Sequence, residues 1–349
     1  MLRMPQSRRQ DRCRQLCPRL RISRANQSVL VRVPATVGSF GGALDCAALA
    51  LDAPLNVKVT PRLDGHAGIR YFGENGERVP RDRSNLVVRA MEAALHLKEL
   101  EFTGADFEIY SSVPVAVGLG SSTAAVLAGL IAADRLFRLD LDEKTLFDLA
   151  AIYESREDNL RAAWLGGFVT AMADGAPCAH HRTVVPENFT LSVVVPETSL
   201  IAGPGRERPS CLVPRPGTAV HLSRAAAFTE FFARPGNGES GWLDAPLPPT
   251  CEKDVPGLED ALRVQAPDVL SVFVCGSGPA VGILAQGNSA LAVAAVRDCF
   301  TRRGVKSSAS EFRPTNAGAR DWNAVRPEIA LPATLVLSAA RQKSNLALV

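Results

Sequence analysis

The sequence predicts an α+β fold, and three observations point to it. Apolar residues make up 46% of the 349 positions and charged residues 21%, the composition of an ordinary globular chain long enough for one large or two modest cored domains. Short alternating runs that read as strands are interspersed with longer runs of helical periodicity, without the strict β-α-β-α rhythm of a doubly wound parallel sheet. Glycine-rich turns separate these elements at three places, around Val37–Gly42, Gly118–Gly120 and Gly276–Gly278.

In chain order, Val29–Pro34 alternates and reads as a strand, and "ATVGSFGGALD" reads as a glycine-rich turn ending at Asp45. Asn56–Val59 is a second strand, followed by the turn "PRLDGHAG". "NLVVRAMEAALHL" (Asn85–Leu97) has helical periodicity, with Ser84 or Asn85 as cap. Phe107–Ser111 is a short strand leading into "PVAVGLGSSTAAVLAGL" (Pro114–Leu130). Ser122–Phe137 and Leu141–Tyr153 are helices; "GGFVTAMA" begins a strand pair continued by Leu191–Val195. Gly203–Gly217 is rich in Pro, Gly and Arg and reads as a loop or lid, His221–Phe232 as a helix, and Gly236–Thr250 as a second such loop. Val255–Val264 is helical, Leu270–Cys275 and Val281–Ala285 are strands about the turn "GSGPA", Ala290–Arg302 is a helix and Ser307–Phe312 a strand. Residues beyond Arg320 match no element template, and no internal repeat is evident.

Charge and composition exclude several classes. Net charge is +3, but Met1–Asn26 holds eight Arg against one Asp, about +7, leaving the remainder at about −4. The body therefore lacks the basic stripe of a nucleic-acid binder. The basic head has no apolar stretch of the length a secretory signal needs; a disordered extension, a start codon placed too early or a transit peptide would each have this composition. No run approaches the ~18 apolar residues of a membrane span. The eight cysteines are scattered and form no zinc spacing, which reads as free thiols of a cytoplasmic enzyme.

The segment Pro114–Leu130 has the strongest chemical signature. A glycine-rich turn opening a helix gathers unpaired backbone N–H groups at one point, and the helix dipole adds partial positive charge, so the segment is suited to an anion. Gly118 and Gly120 allow close approach to phosphate, and Ser121, Ser122 and Thr123 add hydroxyls. The Gly-Lys-Ser/Thr ending of a Walker loop is missing, and Thr123 stands where a dinucleotide fingerprint has its third glycine. Taken alone, the segment is either such a cradle or a tight turn before a buried helix.

Two further blocks flank it in a definite order: "VRVPATVGSFGGALDCAALALD" (Val31–Asp52) and "VFVCGSGPAVGILA" (Val272–Ala285). The three together resemble the GHMP kinase superfamily, whose central ATP motif, P-x3-G-L-G-S-S, the loop matches at every position. Within that superfamily the likeness is to homoserine kinase. "ESREDNLRAAWLGGFV" (Glu154–Val169) resembles E-G-H-P-D-N-V-A-P-A-L-L-G-G-F, and "LIAGPGR" followed by "HLSRAA" resembles L-S-T-x-x-A-R and N-L-S-R-A-A. "RPTNAGAR" (Arg313–Arg320) resembles the closing strand. The likeness spans roughly Val29 to Arg320.

The resemblance implies a two-domain GHMP kinase fold, with a ribosomal-protein-S5-like N-terminal α/β domain over residues 28–185 and a ferredoxin-like C-terminal α/β domain over 186–320, flanked by a basic extension (1–27) and an unassigned tail (321–349). It implies ATP and Mg2+ as cofactors, with Pro114, Gly118, Leu119, Gly120, Ser121, Ser122 and Thr123 at the triphosphate, Asn85 near the base, and Ser121, Ser122 and Glu154 on the metal. On the acceptor side it implies Asp45 for the substrate's amino group, Asn159 beside the reacting hydroxyl, and Arg206 for the substrate carboxylate and the phosphoryl group. Ser39 and Arg156 fall at acceptor positions too. Asp158 is implied as a structural partner of Asn159, since homoserine kinases do not need a strong general base. A small-molecule substrate, a homodimer, a place in threonine biosynthesis, and neither nucleic acid nor membrane as partner complete the expectation.

Departures cluster on the acceptor side. Ser39 replaces an Asn, Gly42, Ala43 and Leu44 replace Pro, Gly and Phe, Arg156 and Glu157 replace His and Pro, and Ala202 replaces a Thr. Cys251 falls where a second carboxylate-binding Arg is expected, and Arg234 could substitute for it. The reading is therefore a kinase for homoserine or a related hydroxy amino acid. The alternatives are a kinase for another small alcohol, threonine or a specialised metabolite among them, and a nucleotide-binding protein without turnover.

Overall fold

In the computed structural model, the structure describes residues 28–43, 46–171, 179–197, 215–234 and 255–324, without the side chains of 215–221. Asp45, Arg206, Ala202, Cys251 and most of the two Pro/Gly-rich loops thus lie outside the described residues.

The first sheet contains β1 (Val29–Gly38), β2 (Ala47–Pro61), β3 (Ala67–Phe72), β4 (Ala105–Ser111), β5 (Phe168–Ala171) and β6 (His180–Thr183), in the order β3-β4-β2-β5-β6, with β1 also paired to β2. The second contains β7 (Thr190–Pro196), β8 (Val269–Val274), β9 (Val281–Ala285) and β10 (Ser307–Phe312), in the antiparallel order β10-β7-β9-β8. The helices are α1 (Leu86–Leu97), α2 (Ser121–Phe137), α3 (Glu143–Ala150), α4 (Glu157–Leu165), α5 (Arg215–Ala233), α6 (Leu258–Leu262), α7 (Ala290–Thr301) and α8 (Ala319–Trp322).

Three larger apolar clusters and a small one of Ala48, Ala162, Leu165, Val169 and Ala171 hold the described layers together. The first lies between the first sheet and α1–α4 and includes Val31, Val33, Val57, Phe107, Met91 and Leu127. Helices α1 and α2 approach closely because α2 is built of small residues: a Cβ on Gly129 would collide with the Val87 carbonyl oxygen. The second cluster is rich in phenylalanine and joins the two sheets to α5 through Phe40, Phe168, Phe189, Phe228, Phe232 and Phe273. The third packs α6 and α7 on the other face of the second sheet. Alternation along β7 explains this: Leu191 and Val193 face the phenylalanine cluster and Val194 the third one.

Several elements differ from the sequence-based expectation. β1 extends to Gly38 and β2 fills Ala47–Pro61, so the turn between them is much shorter than "ATVGSFGGALD". Beyond a register shift at Pro34, both faces of β1 are buried, with Val31 and Val33 in the helical core and Ala35 and Val37 in the phenylalanine cluster, so no polar face marks the rest of the strand. Strand β3 was not expected; it is an edge strand, parallel to β4, with a half-exposed and partly polar face. Helix α4 was read only as a motif. Residues 215–217, expected in the loop, already belong to α5. Arg313–Arg320 is no continuous strand: it contributes a bridge from Pro314 to Leu51 and then α8.

Candidate active site

The three glycine-rich segments meet. Loop 114–120 enters α2 through Ala116, Gly118 and Gly120, all with positive φ (63°, 92° and 68°). The Leu119 carbonyl accepts from the Thr36 amide at 3.2 Å, and the Gly276 amide donates to the Gly38 carbonyl at 2.9 Å. A Cβ on Gly118 would collide with the Cys275 carbonyl, and one on Gly120 with the Thr36 hydroxyl. These glycines are required twice, by φ and by space. Val117 and Leu119 point into the core while Pro114, Gly118 and Gly120 stay half-exposed, so the loop's backbone faces outward at the start of α2.

The first turn of α2 carries the metal-type donors. Glu154 Oε2 accepts from the Ser122 hydroxyl at 3.0 Å and the Thr123 hydroxyl at 2.7 Å, and its Oε1 accepts from the Arg156 amide at 3.2 Å. The set is entirely oxygen and includes a carboxylate, which suits a hard divalent cation. Ser122 and Glu154 are thus brought together, with Thr123 as a third member. Ser121 begins the helix, half-exposed, and no contact of its hydroxyl joins this group.

Residues 38–43, α4 and the turn at Cys275 form the wall beside that loop. A single 3-10 turn, Phe40–Gly42, follows Ser39, itself left-handed at φ 52°. Arg156 Nη2 lies 3.2 Å from Asp158 Oδ2 and donates at 3.4 Å to the Ser39 hydroxyl. Asp158 is fully buried and Asn159 is 4% exposed, and a Cβ on Gly38 would collide with the Arg156 guanidinium and the Asn159 amide. Buried polar atoms without a protein partner cluster here, Thr36 Oγ1, Asp158 Oδ1 and Asn159 Oδ1 among them. Buried polar atoms are almost always bonded, so unpartnered ones concentrated at a glycine-lined wall are what a ligand site leaves behind. The Cys275 thiol is pushed well above its ordinary range by complete burial, which removes it as a nucleophile.

Asn85 stands at the start of α1. Its Oδ1 caps α1 through the Val87 amide at 2.9 Å and its Nδ2 donates to the Pro80 carbonyl at 2.9 Å, in a side chain 3% exposed. That is a helix cap, the other role the sequence allowed it.

Thr36 and Gly38 line the site and Arg224 stands behind it; sequence reasoning singled out none of the three. All stood inside recognised blocks, Arg224 within "HLSRAA", but nothing local marks them: their importance comes from contacts with residues far along the chain.

Comparison with known proteins agrees with this architecture. Residues 85–167 match the family described as GHMP kinases N terminal domain. A homoserine kinase from Deinococcus radiodurans is 30% identical over 306 residues, covering 82% of this chain and 95% of that protein. One from Cutibacterium acnes is 32% identical over 267 residues, covering 73% and 88%. Among solved structures, a homoserine kinase from Cytophaga hutchinsonii superposes with a TM-score of 0.68 at 20% identity, covering 83% of this chain and 96% of that one. At that identity the likeness is one of fold, and the fold is the two-domain GHMP kinase fold.

Proposed function

The chain belongs to the homoserine kinase family of GHMP kinases, and from that premise we propose that it transfers the γ-phosphoryl group of ATP to the hydroxyl of homoserine or a closely related hydroxy amino acid. It is a phosphotransferase acting on an alcohol. The observation that carries this reading is the Glu154 carboxylate held against the Ser122 and Thr123 hydroxyls where the glycine-rich loop enters α2.

In this reading the N–H groups of Gly118–Thr123 receive the triphosphate, where the dipole of α2 favours negative charge. Ser122, Thr123 and Glu154 would hold Mg2+, with Ser121 beside them. When bound, the ion supplies charge neutralisation to the phosphate oxygens. Phosphoryl transfer passes through a loose transition state, so positioning and charge do most of the work. Asn159 offers its unpartnered Oδ1 to the acceptor hydroxyl and so aims that oxygen. Asp158 is committed through Oδ2 to Arg156, which supports a structural role rather than that of a general base. Arg206 and Asp45 lie outside the described residues; for them we propose contact with the acceptor carboxylate and transferring phosphoryl, and with the acceptor ammonium, respectively.

Arg156 favours a second reading in which the acceptor differs from homoserine. A fixed guanidinium, planar and permanently charged, sits at the Gly38–Ser39 turn and would select for an acceptor with an anionic or carbonyl oxygen there. The division into an ATP-binding unit (28–185) and a second unit (186–320), a homodimer, a cytoplasmic location and a role in threonine biosynthesis belong to the same proposal. Among the described residues, no helix is long and apolar enough to cross a membrane.

The test is ADP release with homoserine beside a panel of hydroxy amino acids and small alcohols. Release with homoserine above all others supports the first reading; preference for another acceptor supports the second. ATP binding with no release for any acceptor refutes both.

A further inference from the structure

A buried cation on α5 has no part in the proposed reaction. Arg224, on α5, is 3% exposed, and its Nη1 donates to the Gly41 carbonyl at 2.7 Å. A buried guanidinium is costly unless it is bonded, so its position in a phenylalanine-rich core calls for a reason. Phe228 and Phe232 follow at four-residue intervals on the same face of α5. The Phe228 ring meets Phe40 edge-on at 5.0 Å, Phe232 lies 6.2 Å from Phe40, and a Cβ on Gly41 would collide with Phe228.

The segment gripped in this way has an unfavourable conformation. Ser39, Gly41 and Gly42 all have left-handed φ, at 52°, 57° and 84°. Such a run persists only when its surroundings impose it, above all at the non-glycine Ser39. Within it, the Gly42 amide donates to the Ser39 carbonyl and the Ala43 amide to the Phe40 carbonyl. The turn sits directly beneath the Arg156 guanidinium, which bonds Ser39.

We propose that Arg224 is a positioning residue for the acceptor pocket: acting through the Gly41 carbonyl, and with Phe228 behind Gly41, it holds Ser39–Ala43 in the left-handed turn that presents Ser39 and Gly38 to Arg156 and Asn159. The inference rests on the acceptor-side reading above. It places no contact between Arg224 and the phosphate loop, so the two halves of the site should respond differently to its loss.

The experiment compares wild type, Arg224→Gln and Arg224→Lys by amide hydrogen exchange and by steady-state kinetics with ATP and the best acceptor. Loss of a charge-assisted bond should speed exchange in a peptide covering 38–43 by about tenfold, with 123–133 in α2 unchanged. The KM for the acceptor should rise by about tenfold while that for ATP stays within about twofold, and Arg224→Lys should recover part of both effects. Unchanged exchange at 38–43 overturns the proposal. So does a uniform acceleration accompanied by equal rises in both KM values, which would mark Arg224 as a general stabiliser. If Arg224→Gln does not fold, Phe228→Leu and Arg224→Lys make the same two comparisons without leaving an unpaired carbonyl. If wild type turns over no acceptor, the acceptor reading fails, and the exchange measurement by itself decides the role of Arg224.

Discussion

The proposed donor and acceptor sides of the site are built by opposite means. The loop at Gly118–Gly120 presents backbone N–H groups at the start of α2, with the Glu154 side chain arriving from a distant stretch. The wall opposite is made of side chains from three separated stretches: Ser39, the Arg156–Asp158–Asn159 run and, behind the turn, Arg224. Backbone amides recognise any phosphate, and the glycines that free them are constrained by φ and by contact. Side chains can be exchanged singly, and each exchange alters what the wall accepts. A kinase can therefore keep its phosphate donor while its acceptor changes.

Breaking the donor side should have the largest effect. Glu154→Ala removes the carboxylate beside the Ser122 and Thr123 hydroxyls and should lower kcat by at least about 100-fold, with circular dichroism unchanged. Wild-type turnover in that variant would refute the metal role. Gly118→Val should follow, since its side chain meets the Cys275 carbonyl at a φ of 92°. Calorimetry should register ATP affinity reduced by about tenfold or more, together with some loss of stability.

Altering the acceptor side should act on selectivity instead. Arg156→His removes the guanidinium at Ser39 and frees Asp158, and should change the KM ratio between two hydroxy amino acids by about tenfold while the KM for ATP moves little. If the KM for ATP changes as much, the separation between the two sides is wrong. The smallest effect is expected at Asn85. Asn85→Ala deletes a cap and should cost about 1 kcal/mol of stability, seen as a small fall in Tm, with kcat and the KM for ATP retained. A large rise in the KM for ATP would return Asn85 to the nucleotide.

Legibility in the sequence follows the same division. Val281–Ala285 and Ser307–Phe312 match the strands found, and the helix read over Asn85–Leu97 differs only in that Asn85 is its cap. Each has a complete local pattern. The 15-residue length of β2 was hidden because its first half, Ala47–Asp52, follows glycines and is buried without alternation. β3 was hidden because an edge strand with a half-polar face looks like a turn. Neither can be recognised without its partner strand.

By itself, the sequence determined the local chemistry of the loop at Gly118–Gly120, and the family resemblance made it a phosphate cradle. A glycine-rich turn, hydroxyl residues and a small-residue helix act through neighbours in the chain, and the anion site they make needs only local backbone geometry. Tertiary structure alone decided the other wall. It showed that Gly38 has no room for a side chain, that Thr36 and Asn159 are buried with atoms unbonded, that Asn85 is used as a cap, and that Arg224, 183 positions from Gly41, grips its carbonyl. Those properties arise from residues brought together by packing, and no spacing along the chain encodes a contact made across a core.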